Sequence, residues 1–334
     1  MKVRTKFKYL IIAGILLLLY IIYTLAMRYV VNRFLTKESP IVFSAAFHDG
    51  NKGTFTYSLS NGDMEKISEV PLRWLSYNED KSKIIGIVWE KEIQGIAEIN
   101  LKDKTFDLII SLDEINKCSE KLGLKKMEYN DFSVDFLYFR SPRYYEEDHT
   151  FILDGNIYKL HKENEQWKMQ EIYSYEHLMY NYFVDKNNKN NIFIEAYDRN
   201  KVGKQDFIFT HDINETNEDI LIEKSSVSSS DEDGLADISD DMTKISYYSN
   251  PHICIYDLVT HKENKLKMHY LHLMEVFDTK ISPDNKYVFY TVCETPFFYT
   301  DGYKYNFYVV DLKTKTRIHA KKWEWGDEFY GFDW

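Results

Sequence analysis

Val310-Asp311-Leu312, running straight into Lys313-Thr314-Lys315, reads as the end of one strand and the opening of a tight polar turn. The same register recurs up the chain. It stands as Tyr57-Ser58-Leu59, Ile99-Asn100-Leu101, Tyr158-Lys159-Leu160, His211-Asp212-Ile213 and Tyr256-Asp257-Leu258, each leading within two residues into Lys, Asn or Thr. The anchors Leu59, Leu101, Leu160, Ile213, Leu258 and Leu312 are 42, 59, 53, 45 and 54 residues apart. A period of roughly 40–50 residues holding four strands marks a propeller blade. One blade cannot bury both of its faces, so six of them imply a ring.

Working outward, a second apolar run precedes each anchor: residues 41–47, 83–89, 135–139, 191–197, 244–248 and 287–292. Their Ile, Val, Phe and Tyr suit a pleated, buried surface. Polar turns such as Asn78-Glu79-Asp80-Lys81, Asp185-Lys186-Asn187-Asn188, Asp240-Asp241-Met242-Thr243 and Ser282-Pro283-Asp284-Asn285 lead into four of these runs. Innermost strands are expected before them, at 72–77, 127–132, 180–184, 235–238 and 276–281. That makes five inner strands for six units. The C-terminal stretch Glu328-Phe329-Tyr330-Gly331-Phe332-Asp333-Trp334 reads as the sixth, closing the ring and removing an unpaired edge.

The wording Ile281-Ser282-Pro283-Asp284-Asn285-Lys286-Tyr287-Val288-Phe289-Tyr290, followed by Phe307-Tyr308-Val309-Val310-Asp311-Leu312-Lys313-Thr314, resembles a blade of the TolB-type propeller family. The resemblance also touches residues 235–258, and Asn285 stands where that family usually has Gly. It implies the fold, an all-β six-bladed β-propeller. It carries no function across, because members of one fold bind different partners.

The first 37 residues hold seven basic groups and no acidic one. Of 42 basic and 53 acidic residues in all, 35 basic and 53 acidic therefore fall on residues 38–334. So acidic a surface repels phosphates, and nucleic-acid binding is not expected. Residues 38–334 suffice for one ring with a substantial core and need no second domain. Cys118, Cys254 and Cys293 are too few for a disulfide framework and read as core thiols.

Tyr9 to Met27 is an uncharged run of 19 residues rich in Leu and Ile. At about 1.5 Å per residue, a helix of that length nearly crosses a hydrocarbon core of about 30 Å. Lys2, Arg4, Lys6 and Lys8 precede it, and Arg28, Arg33 and Lys37 follow. The slight excess ahead of the run puts the N-terminus inside. Thr24-Leu25-Ala26 is a poor cleavage site, so the segment reads as an uncleaved anchor rather than a signal peptide. The expected organisation is a basic cytoplasmic tail (1–8), one N-terminal transmembrane helix (9–27), a juxtamembrane linker (28–39) and a propeller domain (40–334). That makes a single-pass membrane protein with the propeller extracytoplasmic.

No Gly-x-Ser-x-Gly elbow, P-loop or dinucleotide fingerprint appears. His261, His269 and His272 read as loop histidines. The acidic run Asp231-Glu232-Asp233-Gly234, with Asp237, Asp240 and Asp241, lacks the spacing of a calcium loop and reads as solvated. No catalytic residue, metal site or cofactor is expected.

Strand parity gives one sharper expectation. In each blade the connections from strand two to three and from strand four onward share one face. There the chain is long and aromatic: Arg143-Tyr144-Tyr145-Glu146, then Thr295-Pro296-Phe297-Phe298-Tyr299, then Trp323-Glu324-Trp325. Exposed aromatic clusters mark binding surfaces. Tyr144, Tyr145, Phe297, Phe298, Tyr299, Trp323 and Trp325 are therefore the candidate contacts for a protein or peptide partner. The expected role is a membrane-anchored extracytoplasmic binding or scaffolding module. The rival readings are an enzyme acting on glycans or peptides, betrayed by buried paired carboxylates in the channel, and a structural subunit of an envelope complex, betrayed by an apolar patch on an outer blade edge.

Overall fold

Three turns show why the repeat forms. In the computed structural model, the turns after residues 78, 239 and 282 share one set of bonds. Asn78 Oδ1, Ser239 Oγ and Ser282 Oγ each accept the N–H five residues on, at 2.9 Å in all three. Asp80, Asp241 and Asp284 each accept the N–H two residues on. Lys81, Met242 and Asn285 take the left-handed conformation, with φ of 56°, 57° and 58°. Glycine is the easiest residue there, and Asn tolerates it well. The anchor residues then tie the two turns of a blade together: Leu101, Leu258 and Leu312 donate their N–H groups to Ser82, Thr243 and Lys286 carbonyls. The polar residue inside the anchor has its own task, since Asp257 and Asp311 cap the N–H groups of Thr260 and Thr314 at 2.7 Å.

The structure describes residues 12–23, 25–26, 40–128, 139–145, 148–174, 178–198, 205–214, 218–225, 236–249, 252–267, 274–294, 304–323 and 327–334. Among these described residues, twenty-four strands, β1 to β24 in chain order, form six four-stranded antiparallel sheets. Blade 1 is β24-β1-β2-β3, with β24 (Glu328–Asp333) innermost against β1 (Ile41–Ala46). Blades 2 to 6 begin with β4 (Leu72–Tyr77), β8 (Phe139–Tyr145), β12 (Leu178–Val184), β16 (Asp237–Ile238) and β20 (Met274–Ile281). The fold is an all-β, six-bladed propeller whose first blade is completed by the C-terminal strand.

The core is six cores, one at each blade interface. Ile41, Phe43, Phe55, Phe289, Phe307, Trp323, Phe332 and Trp334 fill the seam between blades 6 and 1. That seam is the most aromatic: Phe43 and Phe55 stack at 5.4 Å, and Phe289 meets Phe332 edge-on at 4.7 Å. The ring therefore closes where the aromatic packing is densest. Cys118 and Cys254 are buried free thiols.

Two features depart from the sequence reading. A helix, α1 (Leu112–Lys121), joins blades 2 and 3. Ser111 and Glu114 form a capping box at its start, and Leu112, Ile115 and Cys118 face inward. Asn116 then clamps Met127 by two backbone bonds of 2.9 Å. This insertion delays the third blade. Its inner strand is β8 and its second strand is β9 (Asp148–Leu153), not 127–132 and 135–139.

Residues 12–23 are helical, and their Ile, Leu and Tyr side chains are exposed. No helix of the described residues is long and apolar enough to cross a membrane.

Candidate functional site

The inner strands converge on the ring axis, and each offers one residue at the same register. By pairing to the second strand of each blade these are Asp333, Ser76, Arg143, Phe183, Asp237 and Lys280, for blades 1 to 6. Arg143 and Lys280 each touch both of their neighbours in the circle. Arg143 Nη1 donates to Ser76 Oγ at 3.0 Å, and its guanidinium lies 4.9 Å from the centre of the Phe183 ring. Lys280 Nζ lies 3.3 Å from Asp237 and 3.1 Å from Asp333. Two carboxylates and two cations make a neutral layer across the channel. It also laces blades together, because Asp237 accepts the Ile281 N–H at 2.8 Å and Asp333 the Tyr77 N–H at 2.7 Å.

Burial sets the electrostatics. Burial pushes the Asp237 carboxyl above the ordinary aspartate range; Lys280 opposes this and Asp333 adds to it. Burial pushes Asp333 the same way, but Lys280, Arg143 and the Tyr77 N–H overcome it and hold that carboxyl below the range. Lys280 is buried, which lowers its affinity for a proton, yet its two aspartates prevail and raise it.

Above this layer lies a recess of about 30 Å³, lined by Trp74, Leu75, Ser141, Arg143, Asn181, Asp278, Lys280, Gly331 and Phe332. Five of these stand two residues before the layer residue of their own strand: Gly331, Trp74, Ser141, Asn181 and Asp278. The recess therefore lies toward the N-terminal ends of the inner strands. Its wall is bulged: in β4, β8 and β20 two residues oppose one on the neighbouring strand, and β12 and β24 shift register there too. Trp74 and Ser141, at φ of 56° and 52°, occupy the left-handed region that bulky residues avoid. Gly331, at φ 137°, meets the Trp74 backbone so closely that an added Cβ would lie 3.3 Å from its nitrogen.

Ser141 and Arg143 each bring to the wall a buried polar atom without a hydrogen-bond partner. Ser141 is 2% exposed and its Oγ makes no hydrogen bond. Arg143 uses Nη1 on Ser76 and Nη2 on Asn181, at 3.1 Å, while Nε is buried and unengaged. Unpaired buried groups are costly and mark places where water or a ligand completes the site.

The aromatic expectation divides. Tyr144 and Tyr145 lie past Arg143 in β8, on the other side of the layer from the recess. There Tyr144 donates to Glu98 at 3.0 Å and Tyr145 to the Lys189 carbonyl at 3.2 Å. The later start of blade 3 is what moves them. Trp323 is buried in the seam between blades 6 and 1, 5.4 Å from Phe43 and 5.3 Å from Phe307, so it is a packing group. Phe297, Phe298, Tyr299 and Trp325 lie outside the described residues, as do His269, His272 and residues 231–234. Asp237, grouped by sequence with a solvated acidic loop, is instead a buried member of the layer. Among the described residues no group of His, Cys, Asp and Glu is placed to hold a metal ion.

Known structures share this architecture. TolB from Acinetobacter baumannii matches with a TM-score of 0.57 and 14% identity, over 89% of this chain and 66% of that one. The nidogen/laminin complex gives 0.55 and 10%, over 88% and 98%. A TolB protein from Agrobacterium tumefaciens gives 0.50 and 10%, over 86% and 90%. The chain thus spans about two thirds of the length of the Acinetobacter protein. At such identities the likeness is one of fold, and the fold is that of TolB-type propellers. No family model matches the sequence, and no curated protein matches it.

Proposed function

We propose that this protein is a membrane-anchored, extracytoplasmic propeller that captures a protein or peptide partner at the recess end of its channel. One observation carries the binding reading. The channel is closed midway by a neutral layer, and directly above it the Ser141 hydroxyl and Arg143 Nε are buried without partners. A recess of about 30 Å³ is far below the roughly 300–1,000 Å³ of small-molecule sites. It accepts the tip of a larger body resting on the rim. Residues 295–303 join β21 (Tyr287–Glu294) to β22 (Lys304–Asp311), and 323–327 join β23 (Arg317–Lys322) to β24. The strand ends that these connections join lie at the recess end, which supports including Phe297, Phe298, Tyr299 and Trp325 in the proposed contact surface.

The anchor is residues 9–27, with 1–8 cytoplasmic and 28–39 linking to the propeller at 40–334. The exposed apolar side chains of the helical residues 12–23, and the 19-residue uncharged run around them, support this. Catalysis finds less support. Asp237 and Asp333 are buried carboxylates in the channel, but both are bonded to Lys280 and to a backbone N–H. The large exposed apolar residues of the described blades, among them Met64, Leu108 and Ile220, are spread over the outermost strands of blades 1, 2 and 4.

Protease added to intact spheroplasts tests the topology: digestion of the propeller is expected, and protection of residues 38–334 overturns it. Crosslinking and capture from mild detergent test the binding role. Recovery of a protein crosslinked to the recess end is expected, and crosslinks confined to outer blade edges would instead indicate a structural subunit.

A further inference from the structure

We propose that the recess is a subsite for a neutral primary carboxamide, the side-chain tip of a glutamine or asparagine presented by the partner. The inference rests on the binding reading above and assigns the chemistry of its deepest contact.

Size comes first. A volume of about 30 Å³ holds roughly two waters. The oxygen and nitrogen of one carboxamide take the places of two waters, whereas an aromatic or sugar ring does not fit. Hydrogen-bonding capacity comes second. Arg143 Nε–H is a donor with no acceptor, and the Ser141 hydroxyl, 2% exposed, has no partner on the same wall. Both are met by one carbonyl oxygen, which has two lone pairs. Asp278 lines the same recess, and its carboxylate can accept from an amide NH₂.

Charge decides against the alternatives. Lys280 and Arg143 face Asp237, Asp333 and Asp278; further out, Glu195, bonded to the Ala236 N–H at 2.9 Å, adds a fourth carboxylate, and the buried Arg140 guanidinium, 6.0 Å from the centre of the Trp74 ring, a third cation. An anionic ligand meets excess negative charge. An ammonium ligand meets Arg143 and Lys280 and leaves the Arg143 Nε–H unsatisfied. A neutral group with an acceptor and a donor side by side matches the wall. The left-handed backbone at Trp74 and Ser141 is consistent with a preorganised ligand clamp, where such strain concentrates.

The test uses the full chain in mild-detergent micelles with ¹⁵N-labelled arginine. The Arg143 Nε–H resonance is identified by its loss in Arg143→Lys, or in its absence by difference from the Ser141→Ala spectrum. Acetamide, acetate and methylammonium are titrated separately. Acetamide is expected to shift the resonance saturably, with acetate and methylammonium producing no saturable shift. Ser141→Ala removes one hydrogen bond and is expected to weaken acetamide binding by roughly two- to tenfold. No saturable shift with acetamide, or an equal response to acetate, overturns the carboxamide assignment. If the intact chain still captures its partner in that case, the binding module stands and only its deepest contact is misassigned. If acetamide binds but no partner is captured, the subsite stands and the partner reading falls.

Discussion

Lys280 Nζ lies 3.1 Å from the carboxylate of Asp333, the second-to-last residue of the chain, and 3.3 Å from Asp237. One buried ammonium thus joins the inner strands of blades 5, 6 and 1. The pair formed last in chain order is the pair that closes the ring.

Removing the cation should therefore be far worse than removing an ordinary surface lysine. Lys280→Met keeps the length of the side chain but strands two carboxylates in a buried layer. Breaking a buried ion pair from one side costs about 3–5 kcal/mol. Urea unfolding should show a loss of that size, and adding Asp237→Asn to the Lys280→Met protein should restore part of it. A Lys280→Met midpoint equal to that of the parent would show that the layer contributes nothing to stability.

The two aspartates should respond oppositely to pH. Asp333 titrates below its unfolded value of about 3.9, so its contribution is full above that value and fades as pH falls through the folded one. Asp237 titrates above its unfolded value, so its contribution is full in acid and fades as pH rises through the folded one. Asp333→Asn should therefore cost more near pH 7 than near pH 3, and Asp237→Asn should cost less near pH 7 than near pH 3. Unfolding free energies of both variants and the parent across that range check the signs. Deficits that change in the same direction would contradict the assigned environments.

The six-fold repeat was legible because several blades spell their turns with local chemistry: a side chain at 78, 239 or 282 capping its own turn, and an Asp before the anchor at 212, 257 and 311. Those bonds span a few residues and leave a periodic trace. The third blade departs from the sequence expectation because α1 is inserted ahead of it. Its signals were present in the capping box at Ser111 and Glu114, the inward spacing of Leu112, Ile115 and Cys118, and the 59-residue gap between Leu101 and Leu160, the longest of the series. The channel layer left no such trace. Asp333, Arg143, Asp237 and Lys280 meet only through ring closure, and each sits alone in its own stretch of sequence. Asp237 even sits beside an acidic run that disguises it.

Deleting residues 330–334 should destroy the propeller rather than trim it. Phe332 and Trp334 are each about 95% buried in the aromatic seam, Asp333 leaves the Lys280 layer, and Trp334 loses the bond that its carbonyl accepts from Lys81 at 2.8 Å. Loss of a buried Phe or Trp costs about 3–5 kcal/mol each, against a total of about 5–15 kcal/mol for a typical domain. The inner edge of β1 is also bared for pairing with other chains. Limited proteolysis and light scattering should report rapid cleavage and aggregation. A truncated chain as resistant as the parent would mean that β24 is dispensable.

The aromatic residues should separate into packing groups and contact groups. Trp323 lies in the seam with Phe43, Phe47, Phe307 and Phe329 around it at ring distances of 5.1–5.4 Å. Trp323→Ser removes that ring from a buried site and should lower stability by about 3–5 kcal/mol, with a matching fall in melting temperature. Phe297, Phe298 and Trp325 are proposed contacts at the recess end, where the partner is proposed to rest. Replacing these three together with Ser should leave melting within a few degrees of the parent and abolish capture of the partner from mild detergent. Surface changes away from buried features rarely exceed about 0.5 kcal/mol, so a large fall in melting for the triple variant would identify these rings as packing groups too. Unchanged melting with undiminished capture would move the contact surface away from the recess end.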